Sequence, residues 1–171
     1  MKIRAVSPSQ LAPVLDELLS LCASAPTAPH WTQAAWLSAF AGDRTRILLL
    51  ATAGGSPVPL ARTAAPLLKD PDRAPSILGF AVASLTPPEA ELESIVVAPA
   101  FQRQGVGRTL LAELFARLTA AQITTIHLEL RASNQAAIAL YRQSGFLACG
   151  QRPHYYEDPA EDALLLFRRL R

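Results

Sequence analysis

The chain has 171 residues, of which 50% are hydrophobic and 18% are charged, so it can bury the core of one domain and is not intrinsically disordered. Its net charge of +2 is too small to indicate a nucleic-acid or membrane partner. No apolar run reaches the roughly 18 residues that span a bilayer, and Asp16 and Glu17 interrupt the one stretch that resembles a signal peptide. We therefore expect a cytoplasmic protein. Cys22 and Cys149 lack metal-site spacing and are expected to be thiols.

Apolar periodicity predicts strands that alternate with helices. In chain order, we expect a strand over 3–6, a helix from Ser7 to Cys22, a short helix over 32–40, strands over 46–52, 76–85 and 91–97, a helix carrying Leu110 to Leu118, a strand over 125–130, a helix over 134–144, and closing strands over 146–155 and 163–170. Residues 53–75 predict an irregular insert, and Asp158, Pro159, Glu161 and Asp162 predict the last turn. The pattern predicts a single domain over 1–171 with a mixed α/β sheet.

A glycine-containing loop, residues 102–108, follows a predicted strand and begins a predicted helix. Unpaired N–H groups and the positive end of the helix dipole would therefore point at any ligand there. Gly105 and Gly107 allow close approach of a bulky anion, and Arg103 and Arg108 add positive charge. The spacing excludes a P-loop and a dinucleotide fingerprint, because position 102 is glutamine and position 110 is leucine. Taken alone, the loop fits either a pyrophosphate site or a capped helix without a ligand.

The loop is accompanied by further motifs. Gln102-x-x-Gly105-x-Gly107 resembles the pyrophosphate loop of the acetyl-CoA-dependent N-acetyltransferase superfamily (GNAT). Segments 128–134 (LELRASN) and 136–141 (AAIALY), followed by Gly145 and Phe146, are similar to the bacterial ribosomal-protein alanine N-acetyltransferases. The resemblance implies a mostly antiparallel mixed sheet flanked by helices, acetyl-CoA as cosubstrate and no metal. It also implies acetylation of a protein N-terminal amine, with the N-terminal alanine of a ribosomal protein as the acceptor. The insert at 53–75 departs from this family pattern.

Two residues are the expected catalytic pair. Glu129 lies mid-strand between leucines, where burial of a carboxyl group costs free energy unless the group is paired, protonated or hydrated. The alternative to a functional role is an ion pair with Arg131. The resemblance implies that Glu129 is the general base and that Tyr141 lies near the cofactor sulfur, where it would act as general acid. Asn134 and Tyr141 are seven residues apart and share a helix face, although Asn134 could also serve as a helix cap.

The remaining expected contacts follow from the resemblance. The cofactor contacts are the backbone of Ile95, Val96 and Val97, the loop residues Arg103, Gln104, Gly105, Val106, Gly107 and Arg108, and Asn134. Trp31 and Tyr155 lie in segments that flank the peptide groove of the superfamily. His127 shares a strand face with Glu129 and is expected to be structural.

Two other functions stay open: acetylation of a small amine or antibiotic, and a non-catalytic acyl-CoA-binding module. The presence of Glu129 and Tyr141 counts against the second.

Overall fold

The computed structural model describes residues 1–25, 31–41, 46–53 and 77–171. The described strands are β1 (Lys2–Ala5), β2 (Arg46–Thr52), β3 (Ile77–Thr86), β4 (Glu89–Val97), β5 (Thr125–Arg131), β6 (Leu147–Glu157) and β7 (Ala160–Arg169). The α-helices of the same ranges are α1 (Leu15–Ala23), α2 (Gln33–Phe40), α3 (Val106–Ala120) and α4 (Gln135–Gln143). The insert expected at 53–75 lies outside the described residues apart from Ala53.

The strands form one sheet in the order β1-β2-β3-β4-β5-β7-β6. Every neighbouring pair is antiparallel except β4 and β5, which confirms the expected mixed, mostly antiparallel sheet. The parallel pairing joins only Glu89–Glu91 to Thr125–His127. Beyond these residues the two strands separate and leave a wedge-shaped gap, which we call the β4–β5 wedge.

Helices cover both faces of this sheet. On one face, the stripe of leucines on α3 packs on Ile126, Leu128 and Leu130 of β5. On the other face, α1 and α2 pack on β2 and β3, with Trp36 stacked on Phe40 and edge-on to Phe80. Since both faces of β2 and β3 are buried, their sequences are continuously apolar instead of alternating.

Two predicted boundaries were wrong. The helix expected from Ser7 starts as two 3₁₀ turns, Pro8–Gln10 and Ala12–Val14, and α1 begins only at Leu15. A proline at position 13 has no N–H and disfavours helical backbone in the residue before it, which accounts for the delay. At the other end of the chain, Glu161 and Asp162 belong to strand β7 and not to the turn. Their side chains are held by hydrogen bonds to neighbouring segments, described below.

The packing of α3 generates a stability prediction. Leu114 is fully buried between α3 and the sheet, so Leu114→Ala should lower the free energy of unfolding by about 2–5 kcal/mol through lost contacts and a cavity. Arg117→Ala on the same helix removes a surface ion pair with Glu113 (2.8 Å) and should cost only about 0.3–0.5 kcal/mol. Urea unfolding of both variants measures the difference, and equal losses would contradict the packing described.

Candidate active site

The β4–β5 wedge exposes particular backbone groups of β4. The Ala98 amide donates to the Leu78 carbonyl of β3 at 2.9 Å, and in this antiparallel register Val96 pairs with Phe80 in the same way. The amides of Ile95 and Val97 therefore point away from β3, toward the wedge. The family resemblance implied backbone contacts to the cofactor from Ile95, Val96 and Val97. In this geometry the amides of Ile95 and Val97 face the gap, whereas the amide of Val96 faces β3.

A bulge at Glu93 sets the orientation of this half of β4. The register between β3 and β4 shifts so that Val82 pairs with Ser94 and Ala83 with Leu92, which leaves Glu93 as the extra residue. Arg46 Nε donates to both carboxylate oxygens of Glu93 at 3.0 Å. That hydrogen bond raises the pKa of Arg46, so the guanidinium stays charged and the bulge stays anchored.

The glycine loop lies at the end of this strand. Gln102 Nε2 donates to the Val97 carbonyl at 3.2 Å, and Gln104 Nε2 donates to the Ala100 carbonyl at 2.9 Å, so both side chains stiffen the loop. Gly105 has φ +83° and caps α3 without a side chain. The first turn of α3 carries no acid, so its unpaired amides meet no competing negative side chain. Arg103 and Arg108 are exposed beside it.

Gly107 lies where α3, α4 and β4 meet. A Cβ at this position would be 3.2 Å from Leu140 Cδ2, 3.7 Å from Val97 Cγ2 and 3.9 Å from Ile95 Cδ1. The absence of a side chain therefore brings the helix N-terminus against the strand that borders the wedge. The glycine loop therefore lies next to the wedge.

Glu129 lies on the separated half of β5, past the last β4 pair. The strand alternates as expected, with Leu128 and Leu130 turned to the α3 side and Glu129 turned to the opposite face. Glu129 lines a cavity of about 240 Å³ together with Glu91, His127, Cys149 and Arg152, among others. Its Oε1 is 3.1 Å from Arg152 Nη2, and its side chain is 23% exposed. The alternative considered for Glu129, an ion pair with Arg131, is not the pairing found, because Arg131 pairs with Glu161 and Glu129 with Arg152.

Tyr141 lies on α4, on the other side of β5 from Glu129. It is buried in the same layer as Leu128 and Leu130, and its ring meets Phe146 edge-on at 5.4 Å. Burial, and secondly the neighbouring Tyr156, raise the pKa of the Tyr141 phenol well above its usual range. The hydroxyl therefore keeps its proton through neutral and alkaline pH.

Tyr156 is a site residue that the sequence reasoning missed. Its ring lies under the Arg131 guanidinium at 4.2 Å and edge-on to Tyr155 at 5.1 Å. Burial raises the pKa of its phenol, as do the neighbouring groups Tyr155 and Glu129. Tyr156 is thus an electrostatic neighbour of both Glu129 and Tyr141. The tyrosine doublet beside a turn was the available signal, but it did not distinguish the half-buried Tyr156 from Tyr155, which is 48% exposed.

The tip of the β6–β7 hairpin is fastened to the end of β5. Arg131 donates to the carbonyls of Asp158 (2.8 Å) and Pro159 (3.1 Å) and to the carboxylate of Glu161 (3.3 Å). Glu161 in turn accepts a hydrogen bond from the Ser133 amide, just before α4. The bond from Ser133, with that from Arg131, lowers the pKa of Glu161 below its ordinary value. This clamp holds the hairpin tip, and with it Tyr156, against the end of β5.

Four other residues considered in the sequence analysis have contacts of their own. Asn134 caps α4 by accepting from the Ala137 amide at 3.1 Å, so the capping role is present. Trp31 packs edge-on against Trp36 at 4.9 Å, in the layer of α1 and α2. His127 Nε2 is 3.6 Å from a Glu89 oxygen, and Cys149 Sγ is 3.4 Å from the Leu165 carbonyl.

Comparison with known proteins identifies the family. The model described as the Acetyltransferase (GNAT) family matches residues 25–146, which is well over half of the chain. This chain belongs to the GNAT acetyltransferase family. The resemblance based on the glycine loop and the motifs of segments 128–146 is therefore confirmed.

A [ribosomal protein bS18]-alanine N-acetyltransferase of Escherichia coli K12 is 45% identical over 89 residues, covering 51% of this chain and 60% of that enzyme. The match thus spans about 60% of the length of this curated relative. The crystal structure of the S18-alanine N-acetyltransferase from Escherichia coli aligns with TM-score 0.75 and 28% identity over 99% of this chain and 93% of that one. A streptothricin acetyltransferase from Bacillus anthracis, solved with acetyl coenzyme A, shares the fold at TM-score 0.59 and 21% identity, over 75% of this chain and 65% of that one.

Within the described ranges, the structure groups no three His, Cys, Asp or Glu side chains in a way that could hold a metal ion. In the same ranges, no helix has the length and apolarity that a bilayer span requires.

The hairpin clamp generates a pH prediction. The pKa of Glu161 is lowered from 4.5, so its contacts stabilise the fold above that pH and are lost as the pH falls through the lower folded value. Glu161→Gln should therefore lower the free energy of unfolding near neutral pH, and the difference from the wild type should shrink as the pH falls below 4.5 and through the lowered pKa. Glu157→Gln, an exposed acid of the same hairpin, is the control. A difference for Glu161→Gln that stays constant with pH in urea unfolding would contradict the clamp.

Proposed function

We propose that this protein transfers the acetyl group of acetyl-CoA to the α-amine of a protein N-terminus, with the N-terminal alanine of a ribosomal protein as the acceptor. One observation carries the proposal. Glu129 on β5 and Tyr141 on α4 lie on opposite sides of β5, on the half that has separated from β4, so a substrate bound in the wedge would have a carboxylate on one side and a phenol on the other. The names of the bS18-alanine relatives support the acceptor.

The glycine loop and the wedge fit acetyl-CoA. The unpaired amides at the N-terminus of α3, with Arg103 and Arg108 beside them, suit a pyrophosphate. The close approach at Gly107 joins that anion site to the wedge, where the Ile95 and Val97 amides would donate to the thioester carbonyl. Acetyl-CoA supplies an activated acetyl group as a thioester. The fold relative solved with acetyl coenzyme A supports this assignment of the cosubstrate.

Glu129 would act as the general base. An acceptor amine attacks only when it is neutral, and an α-amine has a pKa of roughly 7.7–8.0 against about 10.4 for lysine. Deprotonating the α-amine at neutral pH is therefore easier by about 3.4 kcal/mol. One carboxylate that lines an open cavity, acting directly or through water, is adequate for that task.

Tyr141 would act as the general acid. Its raised pKa keeps the phenol protonated, so it can donate a hydrogen bond to the departing sulfur. Because a thiol is the stronger acid, with a pKa of about 8.5, complete proton transfer requires the charge that develops on the sulfur to draw the proton from the phenol.

The α-ammonium loses two protons in all. Glu129 accepts the first and releases it to water before it accepts the second, which leaves the nitrogen as the C–N bond forms and the C–S bond breaks. Tyr141 protonates the departing thiolate and regains a proton from water, so the reaction releases one net proton to the solvent. Direct attack needs no covalent enzyme intermediate, so Cys149 has no part in the reaction although it lines the same cavity.

Acetyl-CoA should protect the protein against thermal unfolding. At 100 times its Kd, a ligand that binds only the native state stabilises by about 2.7 kcal/mol, and Gly107→Glu should abolish this by charge and by bulk. Ala112→Glu, an exposed position further along α3, adds the same side chain and should keep the protection. A melting temperature that does not respond to saturating acetyl-CoA would remove the cosubstrate assignment.

Kinetics of two variants should separate the catalytic roles. Glu129→Gln should lower turnover of an N-terminal alanine peptide by roughly 10²–10⁴-fold, and the defect should shrink at high pH, where more of the amine is already neutral. Tyr141→Phe should also slow turnover, but high pH should not relieve it because the leaving thiolate is unchanged.

Both variants should retain acetyl-CoA binding, measured by calorimetry, since the glycine loop is intact. Wild-type turnover by Glu129→Gln at neutral pH would refute the base assignment. A panel of peptides, polyamines and aminoglycosides, followed by release of CoA, tests the acceptor class. Activity on small amines alone would refute the N-terminal acceptor, and binding without turnover would indicate a non-catalytic module.

A further inference from the structure

Arg152 is a cation built into the acceptor side of the site. Its Nη2 lies 3.1 Å from Glu129 Oε1, and both side chains line the same cavity. Arg152 belongs to β6, opposite Ala163, whereas Glu129 belongs to β5, so β7 separates the two strands. The arginine reaches across that strand to the carboxylate that faces the acceptor amine.

The backbone around Arg152 is held by specific contacts. Between Arg152 and Tyr156, β6 advances four residues while β7 advances two, and a proline at position 153 suits this bulge in an edge strand. Asp162 fixes the bulge by accepting hydrogen bonds from the His154 amide (2.8 Å) and Gln151 Nε2 (2.6 Å). The Arg152 guanidinium also lies 5.3 Å from the centre of the Tyr155 ring. These contacts favour one direction for a side chain that is still 52% exposed.

An acceptor that uses Glu129 must come close to this guanidinium. To pass a proton to the carboxylate, the acceptor nitrogen approaches within roughly 2.6–3.2 Å of one of its oxygens. A nitrogen that approaches Oε1 would then lie no more than about 6 Å from Arg152 Nη2, which is itself 3.1 Å from that oxygen. At that range a fixed positive charge repels an ammonium group but not a neutral amine. Glu91 and Glu129 are the acids that line the cavity, and His127 is its other titratable side chain apart from the Cys149 thiol.

We propose that Arg152 is a specificity residue that makes this site prefer α-amines to lysine side chains. At about pH 8 roughly half of the α-amines are neutral, whereas nearly all lysine amines are protonated. Repulsion by Arg152 therefore disfavours mainly the lysine side chain. It adds to the higher free energy that deprotonation of lysine requires. The inference rests on the proposed function, because it assumes that Glu129 faces the acceptor nitrogen.

The test compares two peptides of matched sequence, one with a free N-terminal alanine and no lysine, the other blocked at its N-terminus and carrying one lysine. The measured quantity is the ratio of their kcat/KM values. In Arg152→Gln, the preference for the α-amine should fall by about tenfold. Arg152→Lys, which retains the charge, should keep most of it. Arg169→Gln removes one positive charge at the exposed end of β7 and should leave the ratio unchanged.

A second measurement varies the ionic strength. Salt screens charges over shorter distances as it becomes more concentrated, so the wild-type preference should decrease as ionic strength rises. In Arg152→Gln the preference should not respond to salt. An unchanged ratio in Arg152→Gln, or a wild-type ratio that ignores salt, would overturn the inference while the proposed function stands. A wild type that turns over neither peptide would instead remove the proposed function, and this inference with it.

Discussion

The separation of β4 from β5 after three residue pairs is the constraint on which the rest of the site depends. A continuous parallel pair would use the Ile95 and Val97 amides in its ladder and would seal the sheet at Glu129. The bulge at Glu93, anchored by Arg46, sets the register in which the Ile95 and Val97 amides face away from β3. At these residues β5 no longer pairs with β4. The unpaired edge inside the sheet thus follows from the course of the backbone, and it leaves two amide donors that a ligand could use.

The second requirement is that the hairpin of β6 and β7 stays against the open end of β5. Arg131 donates three of the hydrogen bonds that do this, and the Ser133 amide donates another to Glu161. The Ala132 amide also donates to the Asp162 carbonyl at 3.1 Å. Because Arg131 also lies over the Tyr156 ring, the same residue fixes the hairpin and one wall of the site. Glu161 and Asp162 serve the fold through their side chains, which explains why acidic residues occupy strand positions here.

Much of this arrangement was predictable from short-range patterns. Alternation over 125–130 indicates which side chains of β5 face the helices, and the leucine stripe of α3 indicates the helix that covers them. The partner of Glu129 was not predictable, because Arg152 is distant in sequence and reaches it only through strand order and a bulge. The same bulge breaks the two-residue period, so the pattern could not show that Tyr156, rather than Tyr155, turns inward.

The placement of Glu129 and Tyr141 on opposite faces of β5 has a chemical consequence. A carboxylate and a phenol in direct contact would form a hydrogen bond with each other, and each would be less available to substrate. Separation by the strand lets Glu129 lie in an open cavity, where protons exchange with water, while Tyr141 stays in the core, where burial keeps its proton in place. The wedge is the place where a substrate could meet both groups. Under the proposed function, one break in a β-ladder would therefore provide amide donors on β4, a solvent-accessible general base and a buried general acid.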